Sequence, residues 1–311
     1  MPASGGTIQS AARFTRMHEH RTAPKGVFVG LATVDLSYVV GKMPRRNEKI
    51  SVAGQQIAAG GPSANAAVTF AFLGGNATLV TGVGAHPLAS VIREDLERFS
   101  VRLHDLAPGR EEPPPVSSIL VLRHRGERTV VSANAAVFSP LKAEFHPRWL
   151  QGVSVMQVDG HYMPLCIAAA RLAHGHGIPV VLDSGSWKEG MDELLRFLDI
   201  VICSADFRPP GCRSEADVLD FLSERKIPRI AITRGASPLR FLDRGKRGEI
   251  PVEKVRPADT LGAGDIFHGA FCYYICRPGY SFRDSLKAAA RVAAFSCRYL
   301  GTRSWMEAFP G

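Results

Sequence analysis

Short apolar segments rich in β-branched residues alternate with longer segments of helical spacing in the second half of the chain. Four short segments predict buried strands, at 153–158, 179–182, 200–203 and 229–233. Three segments of helical spacing follow them, at 164–173, 191–198 and 215–225. This alternation predicts an α/β fold in which a mainly parallel sheet is covered by helices on both faces.

The first half of the chain begins with a similar apolar run, Gly26–Val34, which predicts a buried first strand that ends at Asp35. A second strand is predicted at Leu79–Val83 and a helix at His86–Phe99. Ligands of parallel sheets bind at the carboxyl ends of the strands, so Asp35 is placed to face a ligand. Later strands end in the same way, at Asp159, Asp183 and Thr233.

Two stretches of weaker β character, 36–58 and 113–136, predict a small sheet that projects from the main body. The first stretch is interrupted by Gly and Pro residues, which favours short, half-exposed strands. The second contains two β-rich runs, Val116–Leu122 and Arg128–Ser132, joined by a polar turn that is typical of a hairpin. We predict that this small sheet projects from one domain spanning 25–311.

The N-terminal residues 1–24 are polar and basic, and they contain no hydrophobic stretch like that of a secretory signal. We predict a flexible extension there. The six cysteines lack zinc-site spacing, and free thiols favour a reducing compartment such as the cytoplasm. No apolar run reaches the roughly 18 residues that a membrane span needs, so a membrane partner is not expected.

The composition is that of a globular protein, with 45% hydrophobic and 22% charged residues in 311. Such a chain is too hydrophobic to be disordered. Its formal charge of +9, from 38 basic and 29 acidic residues, is spread along the chain without a long basic tract. An anionic small molecule such as a nucleotide is therefore a better expectation than a nucleic acid.

A tight turn into a helix is predicted at Gly60-Gly61-Pro62-Ser63, because Pro favours the first position of a helix. A second small-residue loop, Gly262-Ala263-Gly264, also precedes a segment of helical spacing. Small residues let a ligand approach the backbone, and the free N–H groups of a helix start attract anions. This second loop therefore predicts an anion site built from backbone.

Asp265 follows that loop directly. An acidic residue at a helix start is often a favourable partner of the helix dipole. The adjacent small-residue loop favours a second interpretation, a general base that takes a proton from a substrate hydroxyl. The sequence contains neither a GxxxxGK[ST] phosphate loop nor a GxGxxG dinucleotide fingerprint.

The segment Asp259–Asp265, DTLGAGD, resembles the C-terminal signature of the ribokinase-like (PfkB) carbohydrate and nucleoside kinases. The resemblance extends in order and spacing over roughly residues 26–303. Further matching positions are Asp35, the Gly60-Gly61 turn, Asn65, and the pair Thr233 and Gly235. The resemblance implies a three-layer fold in which stretches 36–58 and 113–136 form a β lid. It also implies ATP-dependent phosphorylation of a sugar hydroxyl with Mg²⁺.

Site roles follow from the same resemblance. Asp265 is implied as the catalytic base, with Gly262, Ala263 and Gly264 as the anion hole. The positions implied to bind the sugar are Asp35, Gly60, Gly61, Asn65 and Asn134, and His161 joins them because it follows a predicted strand. The positions implied to line the nucleotide site are Thr233, Gly235, Asp259, Thr260 and Gly301. In many relatives the lid also forms the dimer interface, so a homodimer is expected.

Three positions depart from the family pattern. The usual Asn-x-x-Glu near magnesium reads Ser204-Ala205-Asp206-Phe207, which makes Asp206 the nearest candidate ligand. Pro238 stands where a second glycine of the nucleotide loop is common. Leu261 replaces a frequent threonine, which weakens the expectation of a monovalent-cation site.

The acceptor is left open by the sequence. Ribose, a ketohexose, a ketohexose phosphate and its sulfonate analogue all remain candidates. A nucleoside kinase of the same family is a first alternative. A sugar-binding or regulatory protein that has lost catalysis is a second alternative, motivated by the altered magnesium motif at 204–207.

Overall fold

A computed structural model describes residues 23–123, 127–134 and 144–310. Within those residues the main sheet has the order β13-β12-β11-β10-β9-β8-β1-β4-β5. Its strands are β1 (Lys25–Val29), β4 (Asn76–Thr81), β5 (Arg102–Asp105), β8 (Val155–Val158), β9 (Val180–Ser184), β10 (Ile200–Ser204), β11 (Arg229–Arg234), β12 (Ser237–Asp243) and β13 (Lys246–Ile250). Neighbours pair in parallel from β5 to β11, whereas β12 and β13 pair antiparallel at the edge.

Helices cover both faces of this sheet. The described α-helices are α1 (Pro62–Phe72), α2 (Ala89–Arg98), α3 (Met163–Gly175), α4 (Met191–Leu194), α5 (Glu215–Glu224), α6 (Ala263–Ile275) and α7 (Phe282–Ser296). Helices α1, α2, α6 and α7 pack in one apolar cluster, and α3, α4 and α5 in another. In β1, Phe28 belongs to the first cluster and Val27 and Val29 to the second, as the alternation of a strand requires. The predicted three-layer α/β fold is confirmed.

A separate small sheet has the order β3-β2-β6-β7. Its strands are β2 (Thr33–Val40), β3 (Gly54–Gly60), β6 (Val116–Leu122) and β7 (Arg128–Ser132). The hairpin strands β6 and β7 have the predicted bounds and pair antiparallel. Strands β2 and β6 run in parallel, so the two stretches predicted for the lid meet at the centre of one sheet.

The prediction of a single first strand over Gly26–Val34 is wrong. The run is divided between β1 and β2, and Asp35 lies inside β2 rather than at the carboxyl end of β1. The Asp159 carboxylate accepts the Leu31 N–H at 2.8 Å, which holds the chain as it crosses between the sheets. Gly30, with φ of 155°, has room only for hydrogen there, since a Cβ would lie 2.1 Å from the Asp159 carboxylate.

Other differences are smaller. Strands β5, β12 and β13 were not predicted, because each mixes polar and apolar residues and lies at or near an edge of the main sheet. The segment predicted as the helix 191–198 begins as α4 and continues as a 3₁₀ turn, Leu195–Phe197. The N-terminal extension predicted for 1–24 lies almost wholly outside the described residues. Among the described residues, no helix has the length and apolar character needed to span a bilayer.

Candidate active site

A cleft of about 340 Å³ lies between the inner face of the small sheet and the carboxyl ends of β8 to β11. Strand pairing places Asp35, Ser117 and Ser132 in one row across the small sheet, and all three line the cleft. The starts of α1 and α6 form the floor. Most of the residues expected at the sugar and phosphoryl sites therefore converge on one cavity.

The first glycine turn brings α1 against this cavity. Gly61 is the N-cap of α1 with φ 93° and ψ 146°, a conformation that only glycine adopts readily. A Cβ on Gly61 would lie 2.5 Å from the Leu31 carbonyl oxygen, and one on Gly60 would lie 1.9 Å from Asp35 Oδ2. Both glycines are therefore required by close packing, and they leave Asp35 against the backbone of the turn.

The second glycine loop forms the start of α6. Gly262 is its N-cap in the left-handed conformation, with φ of 66°. A Cβ there would lie 2.5 Å from Thr302 Cγ2 and 3.4 Å from Asn65 Nδ2, so the loop packs tightly on both neighbours. Gly264 is exposed and lines the cleft. The Ala263 N–H donates to the Thr260 carbonyl oxygen at 3.3 Å, so the backbone at Gly264 is the part of this helix start that an anion in the cleft could approach.

Asp265 lies in the first turn of α6 and lines the cleft. Its Oδ2 accepts a hydrogen bond from Asn65 Nδ2 at 2.7 Å. The pKa of Asp265 is raised to about 7, first by burial and then by the neighbouring Asp183 carboxylate. The Asn65 hydrogen bond opposes this increase. A carboxyl group with this pKa is suited to exchange a proton near neutral pH.

Asp35 lies across the cleft on β2. Its side chain is buried, its Oδ1 accepts a hydrogen bond from Thr33 Oγ1 at 2.6 Å, and Ser117 provides a further hydrogen bond. Burial raises its pKa, and these hydrogen bonds together with the positive charge of Arg303 oppose the increase. The carboxylate is thus fixed in place on the wall of the cleft formed by the small sheet.

The strand ends of the main sheet supply two further carboxylates. Asp159, after β8, accepts from Ser63 Oγ at 2.8 Å and from the His161 N–H at 2.9 Å, so it ties α1 to the sheet. Asp183, on β9, lines the cleft, and its Oδ2 lies 3.3 Å from His268 Nδ1. The pKa of Asp183 is raised by burial.

His268 packs between α6 and the main sheet. Nδ1 lies 2.7 Å from the Gly264 carbonyl oxygen and Nε2 lies 3.1 Å from the Ile202 carbonyl oxygen. Its ring therefore joins α6 to β10 while one edge lines the cleft. His161 and Asn134 also line the cleft, at opposite walls, and Asn134 has a φ of 49°.

The end of the cleft beside β11 is more open. Thr233 lines it and donates through Oγ1 to the Cys203 carbonyl oxygen at 3.3 Å. Gly235 is exposed with φ of 57°, and a Cβ there would meet no described atom within 4 Å. Arg128 of β7 donates a hydrogen bond to Thr260, which joins the lid to the loop before α6.

Several expected residues are not part of the cleft lining, namely Gly60, Asp206, Gly235, Asp259, Thr260, Ala263 and Gly301. Asp259 is buried, and its two carboxylate oxygens accept the N–H groups of Leu261 and Gly301, each at 2.9 Å. Asp259 and Gly301 therefore hold the glycine loop against the segment after α7. Asp206 is exposed, and its N–H donates to Ser204 Oγ at 3.2 Å. The described residues contain no cluster of three His, Cys, Asp or Glu side chains able to bind a metal ion.

Sequence reasoning missed Arg303 and Asp95. Arg303 is 8% exposed, pairs with Asp95 at 2.8 Å, and donates to Asn65 Oδ1 at 2.8 Å. Asp95 lies on α2 and Arg303 lies 208 positions later, so no local pattern links them. The sequence signal that could have pointed to Arg303 is its place as a basic residue directly after Gly301-Thr302.

Comparison with known proteins agrees with the family resemblance found in the sequence. The family model described as pfkB family carbohydrate kinase matches residues 23–308. The mouse (Mus musculus) ribokinase is 26% identical over 93% of this chain and 94% of its own length.

Two solved structures share the fold. Arabidopsis thaliana ribokinase complexed with ribose and ATP has a TM-score of 0.70 and 21% identity, covering 92% of this chain and 98% of its own. The adenosine kinase of Sinorhizobium meliloti has a TM-score of 0.74 and 19% identity, covering 93% of this chain and 98% of its own.

Proposed function

The chain belongs to the pfkB family of carbohydrate kinases, and from this premise we propose that it transfers the γ-phosphoryl group of ATP to a hydroxyl of a neutral pentose such as ribose. The observation that supports this most directly is the position of Asp265, which lies at the start of α6 beside the glycine loop and lines the cleft. A base and an anion-binding backbone are thus adjacent, as phosphoryl transfer to an alcohol requires.

In the proposed reaction, Asp265 accepts the proton of the attacking hydroxyl as that oxygen bonds to phosphorus and the bond to the ADP oxygen breaks. Only the ionised carboxylate can do so, and a pKa of about 7 leaves a substantial ionised fraction at neutral pH. The backbone of the Gly262–Gly264 loop, where Gly262 and Gly264 line the cleft, would donate N–H groups to the negative charge on the transferring group. Preorganised donors of this kind stabilise a transition state without reorganising.

A neutral acceptor is favoured by the charges at the sugar end. Asp35 and Asp183 line this cleft together with the base, and carboxylates accept hydrogen bonds from sugar hydroxyls. The same carboxylates would repel a phosphate or sulfonate on the acceptor. The mouse relative is called a ribokinase, which favours ribose among neutral sugars.

ATP is proposed to enter at Thr233 and Gly235, where the cleft is open. Mg²⁺ takes one or two carboxylates and keeps several waters or phosphate oxygens as ligands. The exposed Asp206 lies next to Ser204, which lines the cleft, so it fits a contact at the rim better than a closed metal site. The ion would be held mainly by the nucleotide and would neutralise phosphate charge.

The test is ADP release by the purified protein with a panel of pentoses, ketohexoses, sugar phosphates and nucleosides. We expect turnover with ribose or a close pentose, and little with sugar phosphates. A protein that binds sugar but never releases ADP would overturn the proposal and favour a binding protein.

A nucleoside is the second candidate acceptor. Ile119 and Val130 are apolar residues of the lid face that lines the cleft, and a purine base could pack on them. Faster turnover with adenosine than with ribose in the same panel would favour this alternative.

We also propose that two copies pair through the outer face of the small sheet. The row Ile57, Leu36, Ser118 and Val131 lies on that face. Ile57 is 52% and Val131 71% exposed, whereas Leu36 packs against the apolar cluster of α1, α2, α6 and α7. Exposed apolar sheet faces of this kind are typical of protein interfaces. Sedimentation of the wild type and Val131→Asp should show a dimer and a monomer, respectively.

A further inference from the structure

Arg303 is a buried cation that joins four segments of the chain. Its guanidinium pairs with Asp95 of α2, donates to the Ala59 carbonyl of β3 at 3.3 Å, and donates to Asn65 of α1. It follows Thr302, whose carbonyl oxygen it also contacts, at 3.3 Å. A planar guanidinium with five donors can hold several acceptors in fixed directions, which an ammonium group cannot.

The contact with Asn65 fixes which way that amide points. Arginine has only donors, so the atom of Asn65 that faces it must be the oxygen. The amide nitrogen then faces the opposite way, where it donates to Asp265 Oδ2 at 2.7 Å. Rotating the amide by 180° would place two donors together at Arg303 and two acceptors together at Asp265.

We propose that Arg303, held by Asp95, is a positioning residue for the catalytic base: it locks the Asn65 amide so that its N–H group always faces the Asp265 carboxylate. Arg303 touches neither the cleft nor the reacting atoms and acts through Asn65. This inference rests on the proposed function, because it assigns Arg303 a role only if Asp265 is the base.

The groups around Asp265 determine the direction in which its pKa changes when Arg303 is replaced. The titratable or charged side chains that line its cleft are Asp35 on β2, Asp183 on β9, His268 on α6, His161 after β8 and Arg128 on β7. Asp183 and Asp35 raise the pKa of Asp265, whereas His268 and the Asn65 hydrogen bond lower it. Loss of the Asn65 donor should therefore raise that pKa further, so the base would be ionised only at higher pH.

The experiment compares pH profiles of kcat/KM. Replacing Arg303 alone with an apolar residue would leave Asp95 buried and unpaired, so the main variant is Arg303→Met with Asp95→Leu, which removes both charges. We expect its acid limb to lie about one pH unit above that of the wild type, since one charge-assisted hydrogen bond is lost. Activity at pH 9 should recover toward the wild-type value.

Arg303→Lys is the second variant. It keeps the buried positive charge but not the planar fork, so it should fold and shift the acid limb in the same direction by a smaller amount. Arg93→Met is the control, because Arg93 lies on α2, as Asp95 does, and pairs with Asp105 without a described contact to Asn65. It should lower the melting temperature and leave the acid limb in place.

An acid limb that stays in place in the Arg303 variants, whichever of them folds, would overturn this inference. The proposed function fails in a different way: either the wild type has no acid limb near neutral pH, or Asp265→Asn keeps its turnover. The two failures are therefore distinguishable within one set of measurements.

Discussion

The two ends of the cleft are built differently. At the proposed sugar end, Asp35 and Asn65 are buried and bonded to neighbouring atoms. At the proposed nucleotide end, Thr233 is partly exposed and Gly235 has no described atom near its Cβ position. Under the proposed function, the difference corresponds to a preorganised acceptor site and an adaptable nucleotide site. Preorganisation at the acceptor is what positions a hydroxyl against its base.

The largest effect on activity is expected for Asp265, which lies between the two ends of the cleft. Asp265→Asn keeps the shape of the side chain and removes the base, so kcat should fall by about 10²–10⁴-fold. Sugar binding, measured by calorimetry, should persist. Retained turnover would show that Asp265 is not the catalytic base.

The same variant carries a prediction for stability. The folded pKa of Asp265 is raised to about 7, so the folded state binds more protons than the unfolded state between about pH 4 and 7. The contribution of Asp265 to the free energy of unfolding of the wild type is therefore lost as the pH rises from about 4 to 7. Asp265→Asn lacks this loss, and its melting temperature should exceed that of the wild type most clearly above pH 7. An equal difference in melting temperature at pH 5 and pH 8 would show that the raised pKa of Asp265 is not its cause.

Gly61→Ala tests the rigidity of the sugar end. The substitution combines a positive φ with a Cβ 2.5 Å from the Leu31 carbonyl oxygen. Strain alone should destabilise the fold by about 3 kcal/mol, and KM for the sugar should rise with little change in KM for ATP. Denaturant unfolding and steady-state kinetics measure the two effects.

Gly235→Ala is the matched substitution at the nucleotide end. Its φ of 57° is also positive, yet no described atom lies within 4 Å of the added Cβ. The cost should be about 1 kcal/mol, from the left-handed conformation alone. Loss of stability as large as that of Gly61→Ala would show that the two ends are equally packed.

The smallest effect is expected for Asp206→Asn. This exposed side chain lies at the rim, so its loss should raise the Mg²⁺ concentration for half-maximal activity only a few-fold, the range of a weak, solvated contact. A Mg²⁺ titration at saturating ATP measures it. Abolished activity would instead make Asp206 a direct ligand.

Local patterns predicted much of the fold and part of the site. The two glycine turns were predictable, because Gly61-Pro62 and Gly262–Gly264 encode helix starts within a few residues. Asp35 was assigned to the wrong strand, since an apolar run does not show that the chain changes sheets at Gly30–Ala32. That change depends on a hydrogen bond from Leu31 to Asp159, 128 residues away.

The electrostatics of the site were not predictable in the same way. The raised pKa of Asp265 arises from burial and from Asp183, which lies on another strand. The hydrogen bond that Arg303 donates to the Asn65 amide oxygen joins residues 238 positions apart. Contacts over such distances leave no periodicity in the sequence, so only the folded chain reveals them.

Neighbouring residues of β7 face opposite sides of the small sheet, with Val130 toward the cleft and Val131 outward. A one-residue insertion or deletion within this strand would exchange the two sides. Divergence of acceptor preference among proteins with this lid should then proceed by point substitution within β7. Changes in length should be confined to the turns that flank it.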